Sequence, residues 1–220
     1  MLKAVLFDID GTLVDTVDMH AEAWQRAFAH FGKEVAFADV RSQIGKGGDQ
    51  LMPEFLSKAE VEKIGDDLEK WRGELFLKEY LPRAQAFPKV RELFERLRAD
   101  GVQLALASSC KEPELETYKA LCRIEDLIEE ATTSEDAART KPHPDVFEAA
   151  LKGLGKVSPR DVIVVGDSPY DAMAAKKIDL QAVGVLCGGF PAAELTEAGF
   201  GAVYGGPADL LERYDEWAKR

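Results

Sequence analysis

Cysteine is scarce in this sequence, and the spacing of its few cysteines excludes two kinds of site. Cys110, Cys122 and Cys187 are odd in number, lie far apart and form no Cys-x-x-Cys pair. A disulfide framework and a structural zinc site both need sets of matched cysteines, so neither is indicated. We therefore expect three free thiols in a reducing compartment.

Basic residues and long apolar runs are also in short supply. Lys and Arg number 28 against 40 Asp and Glu, which gives a formal net charge of -12 at pH 7. Nucleic acids and anionic membranes bind proteins through basic surfaces, so we expect neither as a partner. No run approaches the roughly 18 apolar residues of a membrane-spanning helix, and no signal-peptide pattern follows Met1. We expect a cytoplasmic protein that is a monomer or a weak dimer.

Five short apolar runs predict buried strands. They are rich in Val, Ile and Leu, which is typical of a parallel sheet covered on both faces. Helical patterns separate them: residues 88–101 repeat apolar positions at helical spacing and end at a glycine, and residues 144–155 begin with Pro and end with Gly. The alternation predicts a doubly wound α/β fold. The predicted strands are residues 3–8, 102–109, 128–133, 161–167 and 181–186.

One long segment interrupts this alternation. Residues 15–82 contain helical patterns and no convincing strand. We expect them to form a small all-helical domain, inserted after the first strand into a core made of residues 1–14 and 83–220. These helices either pack on the sheet or form a lid beside the end of the first strand. In the second case we expect the lid to close on the core during turnover.

Polar side chains follow the predicted strands, at the edge of the sheet where open α/β folds bind ligands. Side chains two apart in a strand point the same way, so Asp8 and Asp10 would face each other. At about 4 Å two such charges repel by roughly 1 kcal/mol in water, and a shared proton or a bound cation would offset that repulsion. The other residues of this edge are Ser108, Ser109, Lys141, Asp167 and Asp171.

These residue types suit phosphoryl transfer to a carboxylate. Asp8 would attack phosphorus, and Mg²⁺ bound by Asp8 and Asp167 would screen the negative charge. Lys141 and Ser108 would contact the phosphoryl oxygens. Asp10 could protonate the leaving oxygen and later activate water, provided that its surroundings raise its pKa.

Four stretches of the sequence carry a resemblance to a known family. DIDGTLVDT, LASS, TKP and GDSPYD, in that order, resemble the four signature motifs of the haloacid dehalogenase superfamily. The resemblance covers essentially the whole chain and implies a Rossmann-like core with a helical cap after the first motif. True dehalogenases of the superfamily lack the second acid of the first motif, so its presence points to phosphate chemistry. The resemblance implies Asp8 as nucleophile, Asp10 as acid/base with its carbonyl on Mg²⁺, Ser108 and Lys141 at the phosphate, and Asp167 and Asp171 at the metal.

Residues 15–24, DTVDMHAEAW, are similar to a segment of β-phosphoglucomutases and related sugar phosphatases. That subgroup has an acidic pair at the fourth motif, whereas here Gly166 precedes Asp167. The departure favours a Mg²⁺-dependent phosphatase acting on a small phosphate monoester, of the sugar phosphate or phosphoglycolate type, over a mutase. A packed or surface histidine is an equally good interpretation of His20. The residues that we expect at the substrate are Thr16, His20, Lys46 and Ser109.

The glycine-rich stretch IGKGGDQL, residues 44–51, has two interpretations. It is either a turn between cap helices or a specificity loop in which Lys46 or Gln50 contacts the leaving group. It is not a P-loop, because no strand precedes it and no Ser or Thr follows its lysine. A signalling receiver is a further alternative, since receivers also combine a phospho-accepting Asp with metal-binding acids and a lysine. The second acid and the long insertion argue against it.

Overall fold

The computed structural model describes residues 1–219, except for the side chain of Glu135. A six-stranded sheet lies at its centre, and each pair of neighbouring strands is parallel. The strand order β3-β2-β1-β4-β5-β6 is that of a Rossmann-type doubly wound sheet, which confirms the predicted fold. The strands are β1 (Ala4–Phe7), β2 (Gln103–Ala107), β3 (Glu130–Thr132), β4 (Val162–Gly166), β5 (Gln181–Val185) and β6 (Ala202–Tyr204).

All five predicted strands are present, and the sixth was missed. β6 is only three residues long, and Ala202 and Val203 are only half-buried at the edge of the sheet. Glycines at positions 201 and 205 interrupt its apolar pattern. A strand this short, flanked by glycine, carries too weak a periodic signal to be recognised from sequence.

The chain between β1 and β2 is helical, and its described residues add no strand to the sheet. We refer to residues 15–82, the predicted insertion, as the helical cap. A capping box of Ser57 and Glu60 begins its longest helix. Trp24, Phe28 and Leu68 belong to a hydrophobic core of the cap's own. The cap helices are α1 (Val17–His30), α2 (Phe37–Arg41), α3 (Gly48–Leu51) and α4 (Lys58–Leu75), with a π turn continuing α4 over Phe76–Tyr80.

The remaining α-helices cover both faces of the sheet. Because side chains alternate along β1, Phe7 stacks on Phe94 on one face, with 4.6 Å between ring centroids, and Leu6 packs with Phe147 on the other. Burial on both faces explains the continuous apolar strands. The helices are α5 (Val90–Ala99), α6 (Glu112–Cys122), α7 (Asp145–Gly153), α8 (Pro169–Lys176), α9 (Ala192–Ala198), α10 (Pro207–Glu212) and α11 (Tyr214–Ala218).

The helical periodicity predicted two of these core helices well. Helix α5 lies within predicted residues 88–101, and the chain leaves it through Gly101 at a φ of 76°. Helix α7 lies within predicted residues 144–155, and Gly155 follows at a φ of 80°. Left-handed backbone of this kind favours glycine and ends a helix. Among the helices of residues 1–219, none is both long and apolar enough to cross a membrane.

Candidate active site

The carboxyl ends of β1 and β4 meet at the centre of the sheet, where the strand order reverses. Ligands of doubly wound folds bind at this switch point. Asp8 directly follows β1, Asp167 directly follows β4, and Asp171 lies in the first turn of α8. These three buried residues each offer a carboxylate oxygen, and the three oxygens lie within 4.8 Å of one another. The hydroxyl of Thr12 donates to Asp8 and Asp167, with both oxygen–oxygen distances at 3.2 Å.

Lys141 reaches this acidic cluster from the loop between β3 and α7. Its side chain is only 1% exposed, and its Nζ donates to Asp8 and lies 2.8 Å from a carboxylate oxygen of Asp171. Burial alone would lower the pKa of Lys141, but the carboxylates of Asp171 and Asp8 outweigh burial and hold that pKa above its usual value. Lys141 is therefore a permanent positive charge beside Asp8.

One lysine does not balance three buried carboxylates. Burial raises the pKa of Asp8 to about 7, and the attraction of Lys141 only partly opposes this shift. Burial and the neighbouring Asp8 and Asp171 likewise hold the pKa of Asp167 well above its usual value. Clustered carboxylate oxygens with surplus negative charge are the donor set that a hard divalent cation prefers. The residues present therefore fit a metal such as Mg²⁺.

The backbone beside Asp167 leaves no space for other side chains. A Cβ added to Gly188 would collide with the carboxylate of Asp167, and one added to Gly11 would collide with both Asp167 and Val17. Gly11 also adopts a φ of 82°, which favours glycine. Close backbone approach from two loops thus confines the Asp167 carboxylate.

Asp10 lies apart from this cluster, contrary to the strand-based prediction. β1 ends at Phe7, so Asp8 and Asp10 are not alternate residues of a strand. A carboxylate oxygen of Asp10 accepts a hydrogen bond from the hydroxyl of Thr16 at 2.6 Å and lies 2.8 Å from Nε2 of His20. The loop after β1 thus pairs Asp10 with Thr16 and His20, although the charge of Asp10 still adds to the rise in the pKa of Asp8.

The condition that the surroundings raise the pKa of Asp10 is not met in this arrangement. Burial raises that pKa, but the attraction and hydrogen bond of His20, together with the hydrogen bond from Thr16, outweigh burial and lower the pKa to about 2. The sequence did not indicate that Thr16 and His20 would contact Asp10. Asp8 and Asp10 therefore have opposite electrostatic environments, although one residue separates them.

His20 connects Asp10 to the helical cap. Its ring stacks on Phe76, with 3.9 Å between centroids, and its Nδ1 contacts the guanidinium of Arg72 on α4. Nη1 of Arg72 lies 3.7 Å from a carboxylate oxygen of Glu114 on α6, which belongs to the core. Neither Arg72 nor Glu114 was among the site residues predicted from the sequence.

The helical pattern of the sequence could have indicated that Arg72 and Glu114 are buried. Arg72 is four residues after buried Leu68 and three before buried Leu75, so it occupies the apolar face of α4. Glu114 is itself buried, four residues before buried Tyr118 on α6. A charged residue on an apolar helical face needs a buried partner, which makes such positions candidates for a site.

A cavity of about 60 Å³ lies between the cap and the core and brings most predicted residues together. Asp8, Asp10 and Ser108 line its core side, and the Ser108 hydroxyl accepts a hydrogen bond from the backbone N–H of Cys110 at 3.0 Å. Thr16, Lys141, Asp167 and Asp171 lie behind this wall, in contact with Asp8, Asp10 or one another. The remaining lining residues are His20, Trp24, Ile44, Gly45, Lys46, Gly47, Gly48, Glu69, Arg72, Ser109, Cys110, Lys111 and Glu114.

The glycine-rich stretch 44–51 forms part of the cavity wall. Lys46 lines the cavity, but its Nζ donates to side-chain oxygens of Gln43 at 2.6 Å and Glu54 at 2.7 Å. Gln50 donates to the side chain of Asp49 at 2.9 Å. The stretch connects α2 to α3, as the turn interpretation predicts, and contact of Lys46 or Gln50 with a leaving group stays a prediction.

Hydrogen bonds join this loop to the core. The backbone N–H of Thr140 donates to the carboxylate of Asp49 at 3.1 Å, and the Thr140 hydroxyl also donates to Asp49. The backbone N–H of Gly47 donates to the Thr140 hydroxyl at 3.0 Å. Thr140 directly precedes Lys141, so the contact joins the cap to the core beside the lysine that the predicted mechanism places at the phosphate. We refer to Gly47, Asp49 and Thr140 as the cap latch.

Comparisons with known proteins agree with this geometry. A phosphoglycolate phosphatase of Yersinia pestis is 32% identical over 192 residues, which cover 85% of this chain and 82% of the relative. A validoxylamine A 7'-phosphate phosphatase of Streptomyces hygroscopicus subsp. limoneus is 26% identical over 185 residues, covering 84% of this chain and 86% of the relative. The crystal structure of a hydrolase from Pseudomonas syringae superposes with a TM-score of 0.91 at 28% identity, covering 98% of this chain and 99% of that one.

The family model described as haloacid dehalogenase-like hydrolase matches residues 5–185. This range contains all four motifs identified in the sequence, the helical cap and the acidic cluster at the carboxyl ends of β1 and β4. The resemblance inferred from the motifs is confirmed, and the chain is an enzyme. It belongs to the haloacid dehalogenase-like hydrolase family.

Proposed function

We propose that this chain is a phosphatase that hydrolyses a small phosphate monoester, of the sugar phosphate or phosphoglycolate type, with Asp8 as the nucleophile. The observation that supports this most strongly is the buried set of Asp8, Lys141, Asp167 and Asp171 beside a small polar cavity. The names of the Yersinia and Streptomyces relatives point in the same direction.

The acidic cluster is the proposed site of Mg²⁺. Asp8, Asp167 and the backbone carbonyl of Asp10 would hold the ion, with Asp171 beside them. Bound there, Mg²⁺ would screen the negative charges of the nucleophile and of the phosphoryl group. The small clearance around Asp167 and the surplus of carboxylates both support this assignment.

In the first step, a carboxylate oxygen of Asp8 attacks phosphorus, a phosphorus–oxygen bond forms to Asp8, and the bond to the leaving oxygen breaks. Lys141 neutralises the attacking carboxylate and donates to the phosphoryl oxygens, and the Ser108 hydroxyl donates to the same oxygens. Water then attacks the phosphorus of phospho-Asp8, which releases phosphate and restores the carboxylate.

Asp10 is the proposed proton carrier of both steps. It lies in the cavity wall, and its ionised form accepts a proton from the attacking water in the second step. Protonation of the leaving oxygen in the first step requires that Asp10 first gains a proton. Because His20 and Thr16 hold the pKa of Asp10 at about 2, we expect the bound substrate to weaken these two interactions.

Phosphate release from a panel of substrates tests this function. The panel contains sugar phosphates, phosphoglycolate and p-nitrophenyl phosphate, each with Mg²⁺ or EDTA. We expect metal-dependent release by the wild type, loss of release in Asp8→Asn, and unchanged release in Asp67→Asn, which alters an exposed aspartate of α4. Undiminished release in Asp8→Asn would contradict the assignment of the nucleophile, and formation of an isomeric sugar phosphate without free phosphate would favour a mutase.

A further inference from the structure

The buried pair of Arg72 and Glu114 lies in the wall of the cavity, at the contact between cap and core. Arg72 belongs to α4 of the cap and Glu114 to α6 of the core, and their side chains are 11% and 2% exposed. They are 3.7 Å apart at their nearest charged atoms, a distance that allows attraction but is too long for a hydrogen bond. The pair is therefore electrostatically matched but not fully hydrogen-bonded.

Both members of this pair retain unused hydrogen-bonding capacity. Among the described residues, Nε of Arg72 and Oε2 of Glu114 are buried and have no hydrogen-bond partner. The hydroxyl of Ser109, another residue of the same wall, is also buried without a partner. Burying a polar group without a hydrogen-bond partner is unfavourable, so such groups in one cavity wall indicate a polar ligand. The set contains a donor, an acceptor and a hydroxyl that can act as either.

The cationic side chains of the wall are already paired with carboxylates. Lys46 lies 2.7 Å from Glu54, and Lys111 lies 3.2 Å from Glu69. Arg72 is matched by Glu114. The three cations of the wall are thus already neutralised by three carboxylates. A leaving group with its own carboxylate or phosphate would find no free cation there, and the buried Glu114 would repel its negative charge. A neutral leaving group meets no such repulsion.

From this arrangement, and resting on the proposed function, we infer that Arg72 and Glu114 form a subsite for a neutral leaving group with neighbouring hydroxyls. One hydroxyl donates a hydrogen bond to Glu114, and its neighbour accepts one from Arg72. Only a group that both donates and accepts satisfies both residues. Such a subsite favours polyol phosphates over phosphoglycolate, whereas the proposed function includes both as substrates. It also favours polyol phosphates over pyrophosphate.

The test compares substrates of similar size. Glycerol 3-phosphate carries the neighbouring hydroxyls, n-propyl phosphate lacks them, and phosphoglycolate and pyrophosphate carry a second anionic group. Hydrolysis of p-nitrophenyl phosphate shows whether the protein is a phosphatase, whatever its substrate preference. We expect kcat/KM of the wild type for glycerol 3-phosphate to exceed that for each of the other three by about 100-fold, because a site that binds hydroxyls rejects analogues that leave it unpaired.

Glu114→Gln tests the residue itself, because it removes the charge and keeps the size of the side chain. We expect the ratio of kcat/KM for glycerol 3-phosphate to that for phosphoglycolate to fall by about tenfold or more. The matched control is Glu112→Gln, an exposed position two residues earlier on α6, which we expect to keep the wild-type ratio. A ratio measured within one preparation does not depend on the folded fraction.

Each failure has a separate meaning. Hydrolysis of p-nitrophenyl phosphate with a preference for phosphoglycolate or pyrophosphate, or an unchanged ratio in Glu114→Gln, would overturn the inference and leave the proposed function standing. Absence of phosphate release from all five compounds would overturn the proposed function and the inference together.

Discussion

The two ends of the cavity differ in how the fold holds their polar side chains. At the sheet end, Asp8 and Asp167 directly follow neighbouring strands, and Lys141 is buried against Asp8. At the cap end, Arg72 and Glu114 come from helices of the cap and the core, and they meet only where these two parts touch. The sheet end is therefore assembled whenever the core is folded, whereas the cap end depends on the position of the cap. This division suits an enzyme with fixed chemistry and adjustable specificity.

The largest expected effect comes from removing the buried lysine of the sheet end. Lys141→Met leaves the Asp8 carboxylate without its cation, so we expect kcat to fall by about 100- to 1,000-fold, the usual cost of losing one preorganised charge at a reacting group. Steady-state kinetics with p-nitrophenyl phosphate measure this effect. Lys152→Met, at an exposed position of α7, is the control. A kcat within a few-fold of wild type would show that Lys141 does not act on the phosphoryl group.

Metal binding should stabilise the sheet end specifically. At a Mg²⁺ concentration 100 times the dissociation constant, binding adds about 2.7 kcal/mol to the free energy of unfolding, which corresponds to a rise in Tm of about 5–10 °C for a chain of this length. Thermal unfolding with Mg²⁺ or EDTA measures this rise. We expect Asp167→Asn to abolish it and Asp67→Asn to retain it. An equal rise in Asp167→Asn would place the metal elsewhere.

A smaller effect is expected from loosening the cap latch. Asp49→Ala removes the acceptor of both Thr140 hydrogen bonds, so we expect kcat/KM to fall by about tenfold because the closed cap is less populated. Asp39→Ala, an exposed position of α2, is the control.

Small-angle scattering tests the same closure directly. We expect the wild type to become more compact with Mg²⁺ and vanadate, and Asp49→Ala to remain more extended than the wild type under the same conditions. One unchanged wild-type shape in both conditions would contradict closure during turnover.

The smallest expected effect concerns the thiol of Cys110 in the cavity wall. Burial raises the pKa of Cys110 well above its usual value, and the charges of Asp10 and Glu114 add to this shift. The thiol is therefore protonated at pH 8, and its alkylation by iodoacetamide should be at least about tenfold slower than that of a free thiol and should accelerate as pH rises.

Glu114→Gln removes one of these charges, so we expect a modestly faster alkylation of Cys110 in that variant. Mass spectrometry of the Cys110 peptide measures the rate in each protein. Fast alkylation in the wild type would contradict the negative surroundings on which the inferred specificity depends.

The sequence predicted the sheet end far better than the cap end, for a physical reason. Residues that follow parallel strands are brought together by the sheet itself, so Asp8, Asp167 and Lys141 could be grouped without knowledge of side-chain packing. Arg72 and Glu114 meet through helix packing across the cap contact, which single-helix periodicity does not specify. The lowered pKa of Asp10 could not be predicted for the same reason, because His20 acts on it from α1.

The most direct test of the account is chemical trapping of the phosphorylated enzyme. Acid quenching during turnover, followed by borohydride reduction and peptide mass analysis, converts a phospho-aspartate into homoserine. The account predicts homoserine at position 8 of the wild type and no such product in Asp8→Asn, which should also fail to release phosphate. Modification of a different residue, or continued phosphate release by Asp8→Asn, would contradict the central role of Asp8.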